Sequence, residues 1–300
     1  MNPVLRKWLP WIAVAAVAII AVVVIAVNSS DDGDDVAGGE DTTTTTVADT
    51  TTTTVEDTTT TTVEETTTTT EAPEPVVVRV GVENAYLPFN FIDESGTAVG
   101  FDYDIWNEIC DRLGCTAEFV EAGWPAVIEE TGQGVYDVSA DGISITEERK
   151  AIVDFSKPYM TTIQKLMIRS DETRFTNLAE FQAGDYLMGT QVGTTNYELG
   201  ATLVDEARIL AYDQFGIAVQ ALIAGDVDTV IIDDVAGQGY LGVSNEQTAL
   251  LPDDLQSDPL GFIFPIGSEL TAQVNDIIDE MQADGTLDAL ITKWFIDFEG

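Results

Sequence analysis

One stretch of this chain cannot fold, and it decides where any fold must sit. Residues 42–46, 50–54, 58–62 and 66–70 are each five consecutive Thr, with a period of eight. The first three runs are followed by Val, one residue and an acid: Val47-Ala48-Asp49, Val55-Glu56-Asp57 and Val63-Glu64-Glu65. Such a segment has too few large apolar side chains to offset the entropy lost on ordering. Residues 28–75 therefore read as a disordered, acidic, Thr-rich linker that ends at Pro73 and Pro75. Its plainest use is as a tether, and its Thr density would also accept O-linked sugars.

Ahead of the linker, residues 9–27 are almost wholly apolar, about the length that spans a bilayer as a helix. Arg6 and Lys7 precede them, and Asp31, Asp32, Asp34 and Asp35 follow. That asymmetry places the N-terminus inside and everything downstream outside. Residues 1–27 thus read as a cytoplasmic stub with a transmembrane anchor, or as a cleaved signal. Ala26-Val27-Asn28 is a poor cleavage site, which favours the anchor. Both readings export the remainder to the outer face of the membrane.

The exported part is strongly acidic. The whole chain carries 12 Lys and Arg against 53 Asp and Glu, with no His. Nucleic acid is excluded as a partner, because phosphate backbones require Lys and Arg clusters. Without His the commonest general base and metal ligand is missing. Two cysteines, Cys110 and Cys115, make neither a zinc site nor a disulfide-dense scaffold. No metal, no cofactor and no catalytic residue is expected.

Residues 76–300 alternate short β-branched runs with helical spacing. Strands are expected at 76–82, 117–121, 135–139, 165–169, 186–191, 208–212 and 229–233. Phe101, Ile105, Ile109 and Leu113 keep helical spacing until Gly114 stops it. Further helices are expected at 124–131, 195–204, 214–224, 270–283 and 287–295. This alternation means an α/β fold with mainly parallel sheets, and about 225 residues suffice for two lobes.

The chemistry concentrates in Gly142-Ile143-Ser144-Ile145-Thr146-Glu147-Glu148-Arg149. The run reads as a strand end passing into a helix. Thr146 is placed to cap, and Arg149 lies about one turn in. Free backbone N–H groups, a hydroxyl and a guanidinium would then converge, which is a receptor for a carboxylate. An ordinary capped helix with a surface Arg would have the same sequence.

Four stretches in order carry a resemblance over essentially all of 76–300. They are Gly81-Val82-Glu83-Asn84-Ala85-Tyr86-Leu87-Pro88-Phe89, Gly100-Phe101-Asp102-Tyr103-Asp104, the 142–149 run with Asp154-Phe155-Ser156, and Asp284-Gly285-Thr286-Leu287 with Lys293-Trp294-Phe295. Together they resemble the family 3 solute-binding proteins of ABC importers, the polar amino-acid receptors. The resemblance implies the two-lobed type II fold of periplasmic binding proteins, closing on a free amino acid. Lobe 1 would be 76–160 with 261–300 and lobe 2 would be 166–254, joined by crossings near 160–165 and 255–260. A monomeric receptor and an ABC permease as membrane partner are implied as well.

Residue by residue, the resemblance assigns Arg149 to the ligand's α-carboxylate, with Ser144 and Thr195 donating to the same group. Asp233 would take the α-ammonium, helped by the Gly142 carbonyl, with Asp234 beside it as the competing choice. Trp124 and Tyr86 would form facing aromatic walls, and Gln191 would touch the ligand side chain. Glu83 and Asp141 fall at side-chain positions. Two partly buried carboxylates without a cationic partner are costly unless the ligand supplies one. A cationic amino acid is therefore expected, arginine before lysine or ornithine, and the Trp124 face would suit a cation too. Glutamine or another polar neutral amino acid is the alternative. A dehydratase-like cleft enzyme using Glu83 or Asp141, and a ligand-sensing domain, are alternatives of other classes. A disulfide between Cys110 and Cys115 is expected in an exported member, with Gly114 turning the chain between them.

Overall fold

The computed structural model describes residues 76–298 except 245. The expected anchor (1–27) and linker (28–75) lie outside the described residues. The described chain is built on two main sheets. The first has five strands in the order Cys115–Glu121 (β5), Val76–Val82 (β1), Val138–Ser139 (β6), Ile263–Phe264 (β14) and Asp154–Phe155 (β7). β1 pairs in parallel with β5 and β6, whereas β14 runs antiparallel to β6 and β7.

Strand β1 lies inside the sheet, paired on both sides, and its Val78, Val80 and Val82 alternate and are buried, the period of a pleated strand. Helix α1, Phe101–Leu113, covers the sheet through fully buried Ile105, Trp106 and Ile109. Gly114 ends it in a left-handed conformation (φ 74°), where glycine avoids the Cβ penalty. That turn brings the Cα atoms of Cys110 and Cys115 to 4.6 Å, and a disulfide joins them. Helix α7, Glu269–Asp284, adds Val274, Ile277, Ile278 and Met281 to the core, one apolar stripe at helical spacing.

The second sheet runs Ile209–Tyr212 (β10), Met188–Gln191 (β9), Thr229–Asp233 (β11), Met160–Arg169 (β8) and Thr248–Leu250 (β12), with Gln256–Leu260 (β13) also paired to β8. Every residue of β11 is buried. Helix α5, Phe215–Ala224, packs on it through Phe215, Ala218, Val219 and Leu222. The two connections between the sheets are strands lying side by side. β8 and β13 pair antiparallel from Gln256 opposite Gln164 to Leu260 opposite Met160.

Several sequence expectations shift. The expected strand at 135–139 shrinks to Val138–Ser139, and Val135 is 45% exposed. The helix expected after Thr146 is a single 3-10 turn, Arg149–Ala151. Ile152 and Val153 are β-branched and the chain must re-enter the sheet at Asp154, so the turn cannot lengthen. The helix expected at 124–131 is Ala126–Gly132, which leaves Trp124 in the preceding loop. Two helices went unforeseen, Leu178–Ala183 (α3) and Asp234–Val243 (α6), as did the short hairpin Ala85–Tyr86 (β2), Asn90–Ile92 (β3) and Ala98–Val99 (β4).

Candidate functional site

The carboxyl ends of β1, β9 and β11 face one cleft between the two sheets. A small cavity of about 20 Å³ lies there, lined by all ten residues expected from sequence: Glu83, Tyr86, Trp124, Asp141, Gly142, Ser144, Arg149, Gln191, Thr195 and Asp233. Thr194, Asn196 and Phe215 complete the wall. The two halves meet across it. Trp124 Nε1 donates to the Val192 carbonyl at 3.0 Å, Gln191 Nε2 to Glu83 Oε1 at 2.8 Å, and the Ser144 and Thr195 hydroxyls lie 3.2 Å apart.

Arg149 is 9% exposed. Its Nη1 donates to the Ser144 carbonyl at 3.0 Å and its Nη2 to the Gly193 carbonyl at 3.4 Å. Thr146 Oγ1 accepts from the Arg149 N–H, so the capping role expected of Thr146 survives although the helix does not form. Burial lowers the Arg149 pKa against the pull of surrounding acids, but no carboxylate in the described residues makes a salt bridge with it. Its guanidinium lies 5.2 Å from the centroid of the Trp124 ring. A cation thus already lies over the Trp124 face in this structure, and it is Arg149 itself. The fork keeps donors free for a bidentate partner.

Opposite stands Asp233, 3% exposed, at the end of β11. Tyr86 donates to its Oδ2 at 2.7 Å and Asn196 Nδ2 to its Oδ1 at 3.1 Å. Burial nevertheless pushes the Asp233 pKa up to about 6. Asp234 is turned away and tied to a crossing strand: its Oδ1 accepts from Thr162 Oγ1 at 2.8 Å and from the Ile163 N–H at 3.0 Å. Of the two neighbouring acids, only Asp233 faces the cleft. Tyr86 is stacked between Phe89 and Phe215, at 4.9 and 5.3 Å.

At the other side of the cavity Glu83 and Asp141 are 8% and 3% exposed. Burial first, then their mutual repulsion, holds Glu83 well above the usual carboxylate range, and burial raises Asp141 as well. Gln191 Nε2 also donates to the Asp213 carbonyl. Asp141 Oδ1 accepts from Asn90 Nδ2 at 2.7 Å, while its Oδ2 is buried without a partner. Gly142 has φ 55°, and a Cβ there would sit 2.7 Å from the Tyr86 ring, so the backbone can approach the aromatic wall only as glycine. Gly193 (φ 70°) is the same case on the other half, where a Cβ would meet Pro125 at 2.8 Å.

Sequence reasoning missed Asn196, Thr194, Phe215 and Asn90. Asn196 follows directly on the Thr195 that opens helix α4 (Thr195–Leu203), so its position one residue inside a helix N-terminus was a usable signal. Phe215 and Asn90 carry none, because only packing brings Phe215 to the cleft and Asn90 behind it.

A cavity with a guanidinium on one wall and an acid on the other has the charge pattern that suits a small zwitterionic solute. Residues 78–297 match the bacterial extracellular solute-binding proteins, family 3, and the chain belongs to that family, one of binding proteins and not of enzymes. The L-cystine-binding protein TcyJ of Escherichia coli (strain K12) is 31% identical over 222 residues, 72% of this chain and 81% of that protein. An ancestral arginine-binding protein, solved bound to glutamine and also to arginine, is 32% identical with a TM-score of 0.68 in each case. It covers 73% of this chain, and 97% and 98% of its own two chains are matched. The arginine-, lysine-, histidine-binding protein ArtJ from Geobacillus stearothermophilus is 28% identical with a TM-score of 0.68, covering 74% of this chain and 95% of that one.

Proposed function

We propose that this protein is an extracellular receptor that closes two lobes, 76–160 with 261–300 and 166–254, around one free amino acid with a cationic side chain. Arg149 takes the α-carboxylate, helped by Ser144 and Thr195, and Asp233 takes the α-ammonium with the Gly142 carbonyl. Glu83 and Asp141 face the side chain, between the walls of Trp124 and Tyr86, and Gln191 contributes from the second lobe. The observation that carries the cationic reading is Asp141 Oδ2, a buried carboxylate oxygen without a partner, beside Glu83 in the same cavity. Ionising a buried carboxyl of this kind is costly unless an ammonium or guanidinium meets it. Ligand binding shifts an open–closed equilibrium and consumes nothing.

The partner is an ABC permease, and the receptor works as a monomer at the outer membrane face, anchored by the apolar segment 9–27 through the linker at 28–75, or released if that segment is cleaved. Glutamine is the second reading, favoured by the Gln191 amide already donating to Glu83 and by the ancestral relative solved with glutamine. Calorimetric titration of the purified chain with a panel of amino acids, repeated on Arg149→Ala, tests both. Tight binding of arginine or lysine at one site, lost in the variant, is the expected result. Glutamine alone would discard the roles of Glu83 and Asp141, and no binding to any amino acid would overturn the receptor.

A further inference from the structure

Behind the cavity lies a polar group that touches no solute and that the receptor reading does not use. Asn90 is fully buried at the start of β3. Its Oδ1 accepts from the Asn84 N–H at 2.7 Å, which fixes the orientation of the amide. Turned over, it would set a carbonyl oxygen against two carboxylates and an N–H against an N–H. In the orientation it adopts, both hydrogens of Nδ2 are used, one on Asp102 Oδ2 at 2.9 Å and one on Asp141 Oδ1 at 2.7 Å. The amide is therefore saturated, with two donors and its acceptor all engaged.

The two acids it bridges are unlike. Asp102 is fully buried in the first turn of α1, its Oδ1 has no partner, and burial raises its pKa well above the ordinary value. Asp141 borders the cavity and feels the Arg149 charge, which opposes the effect of burial. Asp102 has no cation opposite it, whereas Asp141 has Arg149 across the cavity, so Asp141 is the acid of the two placed to meet a solute. With Oδ1 held by Asn90, the free Oδ2 of Asp141 is the oxygen left for a ligand.

We infer that Asn90, backed by Asp102, is a positioning residue that sets side-chain charge selectivity: it holds Asp141 by one oxygen and leaves the other for the cationic group of the solute. The inference rests on the amino-acid-receptor reading. Besides Asn90, the charged and titratable groups acting on Asp141 are Glu83, Asp102, Arg149, Tyr86 and Tyr159. Donation from Asn90 lowers the Asp141 pKa. Without it Asp141 protonates at higher pH and becomes indifferent to the charge of the solute.

The test compares arginine with citrulline, its neutral isostere, by calorimetry on the full chain and on Asn90→Leu and Asn90→Ser between pH 5 and 9. Loss of a buried hydrogen bond to a charged group is worth roughly 10- to 100-fold in affinity. Arginine should weaken by about that factor in Asn90→Leu while citrulline changes little, so the preference for arginine collapses. The pH at which arginine affinity falls off should also move upward. Asn90→Ser, which keeps a polar group but cannot bridge both acids, should behave in the same way and covers the case in which the Leu variant does not fold. A merely structural role would weaken both solutes equally and leave the pH profile in place, and that result overturns the inference. Failure of the unaltered protein to bind any amino acid would instead overturn the receptor reading beneath it.

Discussion

Replacing Asp233 with Asn should stabilise the empty protein and ruin it as a receptor. Asp233 is fully enclosed, and its pKa rises from 3.8 to about 6, with burial as the largest cause and its hydrogen bonds from Tyr86 and Asn196 opposing it. An acid raised in this way gives stability that is fully present below its unfolded pKa and lost as pH rises through the folded one. At pH 7.5 the ionised side chain then costs about 3 kcal/mol relative to a neutral one, for a shift from 3.8 to about 6. Asparagine removes that cost but turns an N–H toward one of the two donors, which returns part of it, so the net gain is about 1–2 kcal/mol. For a domain of this size that corresponds to a Tm increase of about 3–6 °C. The same linkage halves the ionisation cost by pH 5, where native Asp233 is already largely protonated, so the net gain all but disappears there. With solute present the order reverses, because Asn leaves the α-ammonium without its counter-charge, a loss of about 3–5 kcal/mol. Thermal unfolding followed by fluorescence at pH 5 and 7.5, with and without arginine, reads all of this. A lower Tm for the empty variant, or an undiminished rise in its Tm on adding arginine, would refute the reasoning.

Three further outcomes follow from the same geometry. Glu83→Gln should weaken arginine by about tenfold or more while glutamine holds or gains, since one of two facing carboxylates is removed; competition between the two amino acids reads the change. In the unaltered protein the affinity for arginine should fall as pH drops, because Glu83 and Asp141 both have raised pKa values when empty and must lose protons to meet a cation; titration across pH 5 to 9 should show proton release on binding. Replacing Cys110 and Cys115 with Ala opens a loop of sequence separation 5, worth about 2 kcal/mol, and denaturant unfolding should show that loss with solute affinity unchanged, since the bridge lies far along α1 from the cleft.

The ten residues named from the sequence all border one cavity, and the reason is that each stands at a punctuation mark. Glu83 and Asp233 lie at strand ends, Gly142 and Ser144 in the turn after β6, and Thr195 at a helix start. Such places are legible because the period of the side-chain pattern breaks there. The α/β alternation, the length of α1 and the glycine that ends it were legible for the same reason. Less visible were elements whose local pattern is weak. Helix α6 has Gly237 and Gly239 in its interior, poor helix formers, and it is held by packing of Gly239 against Leu87 and Pro88 of the other half. The hairpin β2–β4 is short enough that pairing, and not propensity, makes it.

What the amino-acid sequence determined by itself is the inventory: an acidic exported domain of strands alternating with helices, and an Arg, a Ser and several acids at the ends of those elements. Tertiary structure decided which of them meet. Asp233 and Asp234 are neighbours of identical chemistry, yet one faces the cleft and the other clamps Thr162 and Ile163, because the strand ends at Asp233 and Asp234 already opens helix α6. Arg149 and Trp124 are 25 positions apart in sequence, and only the fold sets the guanidinium 5.2 Å from the ring centroid. The bridge from Asp102 through Asn90 to Asp141 spans sequence separations of 12 and 51, and no local pattern could join them. Burial raises the pKa of both Asp102 and Asp141, and burial is a property of the folded whole.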